Sequence, residues 1–379
     1  MLAGNKICHF STVHSAIDAR IRDRECVSLA NARADVHLFA INCDEEEYKG
    51  VHIHALKRPE NRYKRFMYAK AAIKNILTEK PQIIHFHDTE LIPLMLKVKK
   101  KSSKIRVIFD CHEDTISHIM LKEYIPIFIK PIVKKIVSFY FPKAALMFDA
   151  IITADEEVSN MFKCWGAKPV TLYNFPPKVI YEKSPDWNFN NRFYDIVYPG
   201  STPRYHLLTM FKVANELKKR GRITKWLILA DLRFPEANNW IAEKLKELKI
   251  EGLFEFRPIV PLTKLPNFLQ SAKIGFIPLP DTLKFHNNIP SKLFDFFLAG
   301  LPVVLSDLPP SRKFINNLDV AIPVEPDNIN AYATAIEDLM DDIPRMIKMG
   351  KEARRIALKK YIWETQMQKL IDLYKMKLA

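Results

Sequence analysis

Short apolar runs alternate with longer stretches of helical periodicity along most of the 379 residues. The runs KICHFS, DVHLFAI, VHIHAL, QIIHFH, IRVIFD, DAIITA and PVTLYN predict strands. Between them, segments such as 17–33 and 63–79 carry helix-like patterning. Repeated strand–helix alternation predicts a parallel sheet with helices on both faces. The pattern breaks over 174–192, NFPPKVIYEKSPDWNFNNR, whose Pro- and Asn-rich polar composition reads as a linker. A second series follows: DIVYPG, KWLILAD, LFEFRP, KIGFIPL, PVVLSD and DVAIPV. The chain therefore reads as two doubly wound, Rossmann-like α/β domains, 1–180 and 181–360, with a helix-like tail at 361–379. In open parallel sheets, ligands bind beyond the carboxyl ends of the strands, where strand order reverses. Two such domains facing a central cleft would take a ligand from each side, so the residues just after each strand matter most.

Charge narrows the partners. Lys and Arg exceed Asp and Glu by 58 − 43 = +15, which favours nucleic acid, an acidic membrane surface or a phosphorylated ligand. No zinc-finger spacing, RRM signature or basic heptad array accompanies the charge, which argues against nucleic acid. The five cysteines are scattered and never spaced as CxxC, which argues against a disulfide framework or a cysteine zinc site. The opening MLAGNKICHFSTVHSA lacks the apolar core of a signal peptide, and no apolar run approaches ~18 residues. A cytoplasmic protein, peripheral at the inner face of the cell membrane, is expected.

The most informative stretch is 285–307, FHNNIPSKLFDFFLAGLPVVLSD. Pro290 fits a first helical turn, Ser291 can cap free amides, and Gly300 ends the helix before the next strand. Such a helix start offers N–H donors and partial positive charge, a seat for phosphate, and Lys292 adds a full charge. Ser291 and Asp295 share one face, four residues apart. A carboxylate at that depth could hold two ribose hydroxyls; equally, Lys292 and Asp295 could simply pair on a solvated face.

NIPSKLFDFFLAGLPVVLSDLP resembles the carboxyl-terminal signature of the retaining glycosyltransferases of family 4, the group 1 class with the GT-B fold. The stretch ICHFSTVHSAIDARIRDRECVSLANARADVHLFAIN resembles the opening of a bacterial surface-polysaccharide branch of that family. There, His14-Ser15, Asp18-Ala19-Arg20-Ile21 and Arg24-Glu25-Cys26 stand where the branch has His-Pro, Asp-x-Arg-Ile and Lys-Glu-Cys. HFHDTEL at 85–91 and FDCHED at 109–114 match two further blocks.

The resemblance implies transfer of a sugar from a UDP- or GDP-linked donor, with retention and without a bound metal or other cofactor. It also implies that the tail 361–379 packs back on the first domain. Asp295 matches the second acid of the family's Glu-x7-Glu motif, which binds the donor ribose. The first acid is replaced by Asn287, which could still hydrogen-bond a sugar hydroxyl but could not act as a base. The backbone of Asn288, Ile289 and Ser291 would hold the diphosphate, with Lys292 assisting. Gly200 would permit close approach after DIVYPG, although it also suits a plain turn. Arg204 is the expected cation for the departing diphosphate, while an ungapped match selects His206 instead.

The first domain would face the acceptor and the transferred sugar. His85 and His87 lie two apart in a strand and point to one face. His87 and Asp88 lie near that strand's carboxyl end, and His112, Glu113 and Asp114 occupy the matching place after IRVIFD. His87 would contact the sugar or the acceptor hydroxyl, Glu113 would orient the acceptor, and His14, Arg20, Asp88 and His112 would contact it. Mixed histidines and carboxylates also suit a metal, but their separate loops lack tight ligand spacing.

Much of the basic excess lies within 51–150, including KRPENRYKR and KVKKKSSKIR. The following EYIPIFIKPIVKKIVSFYFPKAALMF, 123–148, mixes apolar and aromatic residues with lysines, as at an anionic lipid interface. A core helix with a solvated lysine face explains it as well. A lipid-linked saccharide acceptor would need the acceptor domain at the membrane. Against the transferase stand a catalytically weak, membrane-associated interaction subunit, favoured by Asn287, and an epimerase or inverting transferase of the same fold.

Overall fold

The computed structural model describes residues 2–112, 116, 119, 127–182, 192–232, 234 and 236–379. The chain divides into two compact units, Met1–Asn174 with Trp363–Ala379, and Phe175–Ile362. Residues 175–180 thus belong to the second unit.

The first unit is built on an eight-stranded sheet. Its strands are β1 (Lys6–Ser15), β2 (Asp35–Ile41), β3 (Glu46–Tyr48), β4 (Val51–Leu56), β5 (Ile83–Phe86), β6 (Arg106–Cys111), β7 (Ala150–Thr153) and β8 (Val170–Thr171). Their order is β3-β4-β2-β1-β5-β6-β7-β8, parallel apart from the β3–β4 pair. Apart from Val13 near the end of β1 and Val170 on the edge strand β8, Ile, Val and Phe in these strands are buried on both faces, as a sheet covered on both sides requires. Strand order reverses between β1 and β5, where His9 pairs in register with His85.

Two local features escape the periodicity. Strand β3 is polar and exposed, held by a tight turn in which Lys49 and Gly50 both have positive φ, 49° and 79°. The stretch expected as one helix over 17–33 opens with a π-type helix, Ala19–Cys26, before regular turns at Val27–Asn31. Bonding from i to i+5 in such turns brings Arg20 and Glu25 to one side, and both are buried. The helix Trp363–Leu378 closes the unit. Trp363, Leu370, Leu373 and Tyr374 join the apolar cluster beneath β1 and β2, and Trp363 Nε1 donates to Ser28 Oγ at 2.9 Å.

The second unit carries a six-stranded parallel sheet of β9 (Tyr194–Ser201), β10 (Trp226–Asp231), β11 (Phe254–Pro258), β12 (Ala272–Ile277), β13 (Val303–Ser306) and β14 (Ala321–Val324). The order β11-β10-β9-β12-β13-β14 reverses between β9 and β12. The helix Lys292–Leu298 packs hard on β12: a Cβ at Gly275 would stand 2.6 Å from the Phe296 ring, so only glycine fits. Gly300, with φ +70°, ends that helix; its N–H bonds Phe297 O, and Leu301 N–H bonds Phe296 O. Among the described residues, no helix is long and apolar enough to cross a membrane.

Candidate functional site

In the second unit the switch point gathers the residues expected to hold the donor. Gly200, near the end of β9, has φ +109°, a conformation that side chains resist, and a Cβ there would lie 3.8 Å from Lys292 Nζ. Lys292 opens the helix Lys292–Leu298, and its ammonium sits 3.7 Å from the centre of the Tyr198 ring on β9. Burial draws its pKa down to about 7, with Asp295 pulling the other way. Among the described residues it makes no hydrogen bond or ion pair. A cation desolvated in this way has an aromatic face for company and an unmet need for an anion.

The helix start is open. Ser291 is exposed, and Asn287, Asn288, Ile289 and Pro290 are half-buried. Ser291 has helical angles, φ −55° and ψ −30°, and its side chain makes no capping bond, contrary to the sequence expectation. A residue already wound into the helix cannot turn its hydroxyl back to the next amides. Among the described residues, no hydrogen bond engages the backbone N–H of Asn288, Ile289, Ser291 or Lys292. Free N–H donors beside a desolvated ammonium are the features that draw an anion. One turn on, Asp295 accepts a 2.7 Å hydrogen bond from Tyr181 Oη.

The two candidate cations after β9 have separate fates. Arg204 is exposed, pairs with Glu236, and lies against the Phe234 and Trp240 rings at 4.9 and 5.7 Å. His206 is buried, with Nδ1 2.8 Å from Tyr198 Oη. Burial and the nearby Lys292 hold its pKa near 3, so it is neutral and cannot supply charge to a diphosphate.

In the first unit the switch point holds a chain of imidazoles. His9 Nδ1 lies 3.1 Å from His87 Nε2, and His87 Nδ1 lies 3.1 Å from His112 Nε2. Asp110 anchors the outer end, 3.0 Å from His112 Nε2 and 3.5 Å from His87 Nδ1. His85 Nδ1 meets Tyr374 Oη at 2.7 Å. Arg20 donates through Nε and Nη2 to the two Asp110 oxygens, both at 3.0 Å, and through Nη1 to Leu172 O and Asn174 Oδ1. Glu25 Oε1 also lies 3.0 Å from Arg20 Nε. Two buried carboxylates thus share one guanidinium. Burial and the Asp110 charge raise the Glu25 pKa, whereas Arg20 and the histidines hold Asp110 ionised against its burial. Burial also keeps His9, His85 and His87 neutral; the His87 pKa falls to about 4 although Asp110 opposes it.

This geometry redistributes the expected acceptor contacts. His87 is buried with both ring nitrogens engaged. Arg20 is buried in its ion network, and Asp88 accepts from Ser11 Oγ, Thr12 N–H and Thr12 Oγ1 at 2.9, 2.6 and 2.9 Å. These three hold the strand ends in place; they do not present free groups to a ligand. His14 and His112 form the rim, with side chains 30% and 18% exposed and ring centroids 5.0 Å apart. His14 Nδ1 meets Asp18 Oδ2 at 3.2 Å, and Asp18 also caps Arg20 and Ile21 N–H. Burial lowers the His14 pKa, but the Asp18 bond and the Asp88 charge outweigh it and raise the net value. Glu113, expected to orient the acceptor, lies outside the described residues.

Sequence reasoning passed over His9, Glu25 and Tyr374. His9 carries a signal in hindsight: it stands two residues before Ser11 in a strand neighbouring HFHD, with the same parity. Tyr374 carries none, because its contact spans the length of the unit.

The profile of Glycosyltransferase Family 4 matches residues 24–175, and that of Glycosyl transferases group 1 matches 194–342. No curated protein sequence matches. Sucrose-phosphate synthase from Thermosynechococcus elongatus superposes with a TM-score of 0.76 at 14% identity, over 98% of each chain. A glycosyltransferase from Rickettsia africae gives 0.73 at 13%, over 99% of each chain. Anabaena Alr3699/HepE, in complex with UDP and glucose, gives 0.73 at 10%, over 98% of this chain and 100% of its own.

Proposed function

The chain belongs to the group 1 glycosyltransferases of family 4, with the GT-B fold, and from that premise we propose that it moves a sugar from a nucleoside-diphosphate donor to a saccharide acceptor with retention of configuration. The observation that carries the reading is Lys292: a desolvated ammonium beside Gly200, at a helix start whose N–H groups have no partner among the described residues. A UDP- or GDP-linked diphosphate placed there accepts from the backbone N–H groups of Asn288, Ile289, Ser291 and Lys292 and from the Lys292 ammonium. Asp295, with Tyr181 Oη holding it, accepts from ribose hydroxyls. Asn287 hydrogen-bonds the donor sugar.

As the bond from sugar to phosphate breaks, negative charge grows on the leaving diphosphate. Preorganised donors aimed at that charge stabilise the transition state, each by ~3–4 kcal/mol. No carboxylate stands at Asn287, so the reading takes same-face attack through an oxocarbenium-like state, with the departing diphosphate accepting the acceptor's proton. Arg204 joins the diphosphate only by leaving Glu236. The transfer requires no metal at the diphosphate, because Lys292 and the amides supply the positive charge. The rim imidazoles His14 and His112 bind the acceptor's hydroxyls, while His87, Arg20 and Asp88 position them.

A lipid-linked acceptor in bacterial surface-polysaccharide assembly fits the helix Lys130–Met147. Its outer stripe of Ile132, Ile136, Phe139 and Leu146 is exposed, Lys134, Lys135 and Lys143 flank it, and Phe141, Ala144 and Ala145 face the core. Flotation with anionic vesicles at low salt tests this contact, and absence of binding removes it.

A second reading has two observations in its favour: Arg204 is turned to Glu236 and position 287 is an amide, as in a catalytically weak, membrane-associated interaction subunit. Incubating the full-length chain with a panel of nucleotide sugars and following products by mass spectrometry separates the two. Transfer or slow donor hydrolysis supports the first. Nucleotide binding without turnover supports the second, and epimer formation rejects both.

A further inference from the structure

Four buried side chains of the first unit converge on one point. They are His9 on β1, Glu25 on the π-type helix, His85 on β5 and His87 just beyond it. One ligand atom from each lies within 4.8 Å of the rest. His9 Nδ1 is 3.1 Å from His87 Nε2 and 4.0 Å from Glu25 Oε2, which is 3.9 Å from His85 Nδ1. A tetrahedral zinc ion with bonds of ~2.0–2.1 Å spaces its ligand atoms by about 3.3 Å, so a contraction of at most about 1.5 Å in any pair completes the shell. We propose that His9, Glu25, His85 and His87 bind a divalent transition-metal ion, zinc by their chemistry, as a structural site within the first unit.

Three observations support the site beyond proximity. Glu25 Oε2, 4.0 Å from His9 Nδ1 and 3.9 Å from His85 Nδ1, is buried without a hydrogen-bond partner, a cost that a metal ion removes. Glu25 and Asp110 share the Arg20 guanidinium, so a second cation beside Glu25 would allow both carboxylates to ionise. The outer nitrogens already have the contacts that orient metal-bound imidazoles: His87 Nδ1 with Asp110 at 3.5 Å, and His9 Nε2 with Tyr374 Oη at 3.4 Å. Three imidazoles and one carboxylate suit zinc, and four protein ligands without an open position mark a structural site and not a catalytic one. The ion would tie β1, the π-type helix and β5 together at the switch point. The diphosphate seat, in the second unit, does not depend on it.

The test reads metal and not transfer, so it stands or falls apart from the proposed function. Full-length protein purified without chelator is assayed by elemental mass spectrometry. Chelator-dialysed protein is then titrated with Co²⁺ and its visible spectrum recorded. The site predicts stoichiometric zinc and the intense absorption of tetrahedral cobalt, which zinc displaces. Both signals vanish in Glu25→Gln and His85→Gln and persist in His37→Gln, which alters the separate Asp35, His37 and His52 group. Should the core variants fail to fold, the wild-type cobalt spectrum decides. The proposal is overturned by wild-type protein that takes up neither metal, by a cobalt spectrum that is not tetrahedral, or by zinc lost from His37→Gln and kept by His85→Gln.

Discussion

The two switch points are built to opposite plans. In the first unit, the polar groups at the strand ends turn inward: Arg20, Asp110, His9, His85 and His87 lie in one buried cluster, Asp88 is held by Ser11 and Thr12, and among the described residues His14 and His112 reach the rim. In the second, Arg204, His206 and Asp295 have partners of their own, but a cation and a row of amides do not. Among the described residues Lys292 makes no hydrogen bond or ion pair and stands against the Tyr198 ring, and the N–H groups of Asn288, Ile289, Ser291 and Lys292 are unengaged. The first arrangement suits holding a shape against which varied hydroxyls can be matched. The second suits receiving one strongly charged group, because the cost of keeping a cation without an anion is recovered on binding.

The sharpest way to break this contrast is Arg20→Ala. Removing one partner of a buried ion network costs ~3–5 kcal/mol of stability. Loss should be confined to the first unit, read by hydrogen exchange as faster exchange in β1, β5 and β6 with β9 and β12 unchanged. Equal loss in both units would show that Arg20 does not stabilise its own unit selectively. A smaller change is expected from Asp295→Asn. Asparagine still accepts from Tyr181 Oη, so the fold should hold, while hydrogen bonds from ribose to a charged acceptor are worth ~1.5–3 kcal/mol. Calorimetry should show nucleotide affinity weaker by roughly tenfold to a hundredfold, and an unchanged affinity would remove the ribose assignment.

Acid offers a gentler comparison. His87 and His206 titrate near 4 and 3 in the folded chain, against about 6.5 when unfolded. The unfolded chain therefore binds more protons in that window, and stability falls as pH drops from about 6.5 toward 4. The first unit buries three such neutral imidazoles, His9, His85 and His87, and the second has His206. Exchange protection in β1 and β5 should decline before that in β9 and β12 as pH is lowered from 7 to 5. The reverse order would contradict the burial argument.

The fold is legible in the chain wherever period and burial coincide. The runs from KICHFS to DVAIPV are apolar because sheets covered on both faces demand it, and each became a strand. The polar β3 was missed because an exposed edge strand needs only a turn, Lys49-Gly50, and no apolar face. The second-unit helix was readable because Lys292 and Gly300 act locally, although it begins only at Lys292 and Ser291 does not cap it. The inward network of the first unit was not. His87, Arg20 and Asp88 stand where a contact residue would stand, and only the packing of the π-type helix and the helix Trp363–Leu378 shows that they are engaged. Arg204 failed to be legible for a like reason, since Glu236 lies 32 residues further along the chain.

The central claim is that Lys292 and the amides around it hold the diphosphate. Calorimetric titration of UDP and GDP into wild type and Lys292→Ala, with turnover measured on the same preparations, tests it most directly. The account predicts that one nucleoside diphosphate binds wild type. It also predicts that the variant, folded by circular dichroism, binds it far more weakly and turns over at least about a hundredfold more slowly. Equal affinity and near-equal turnover in the variant would contradict it.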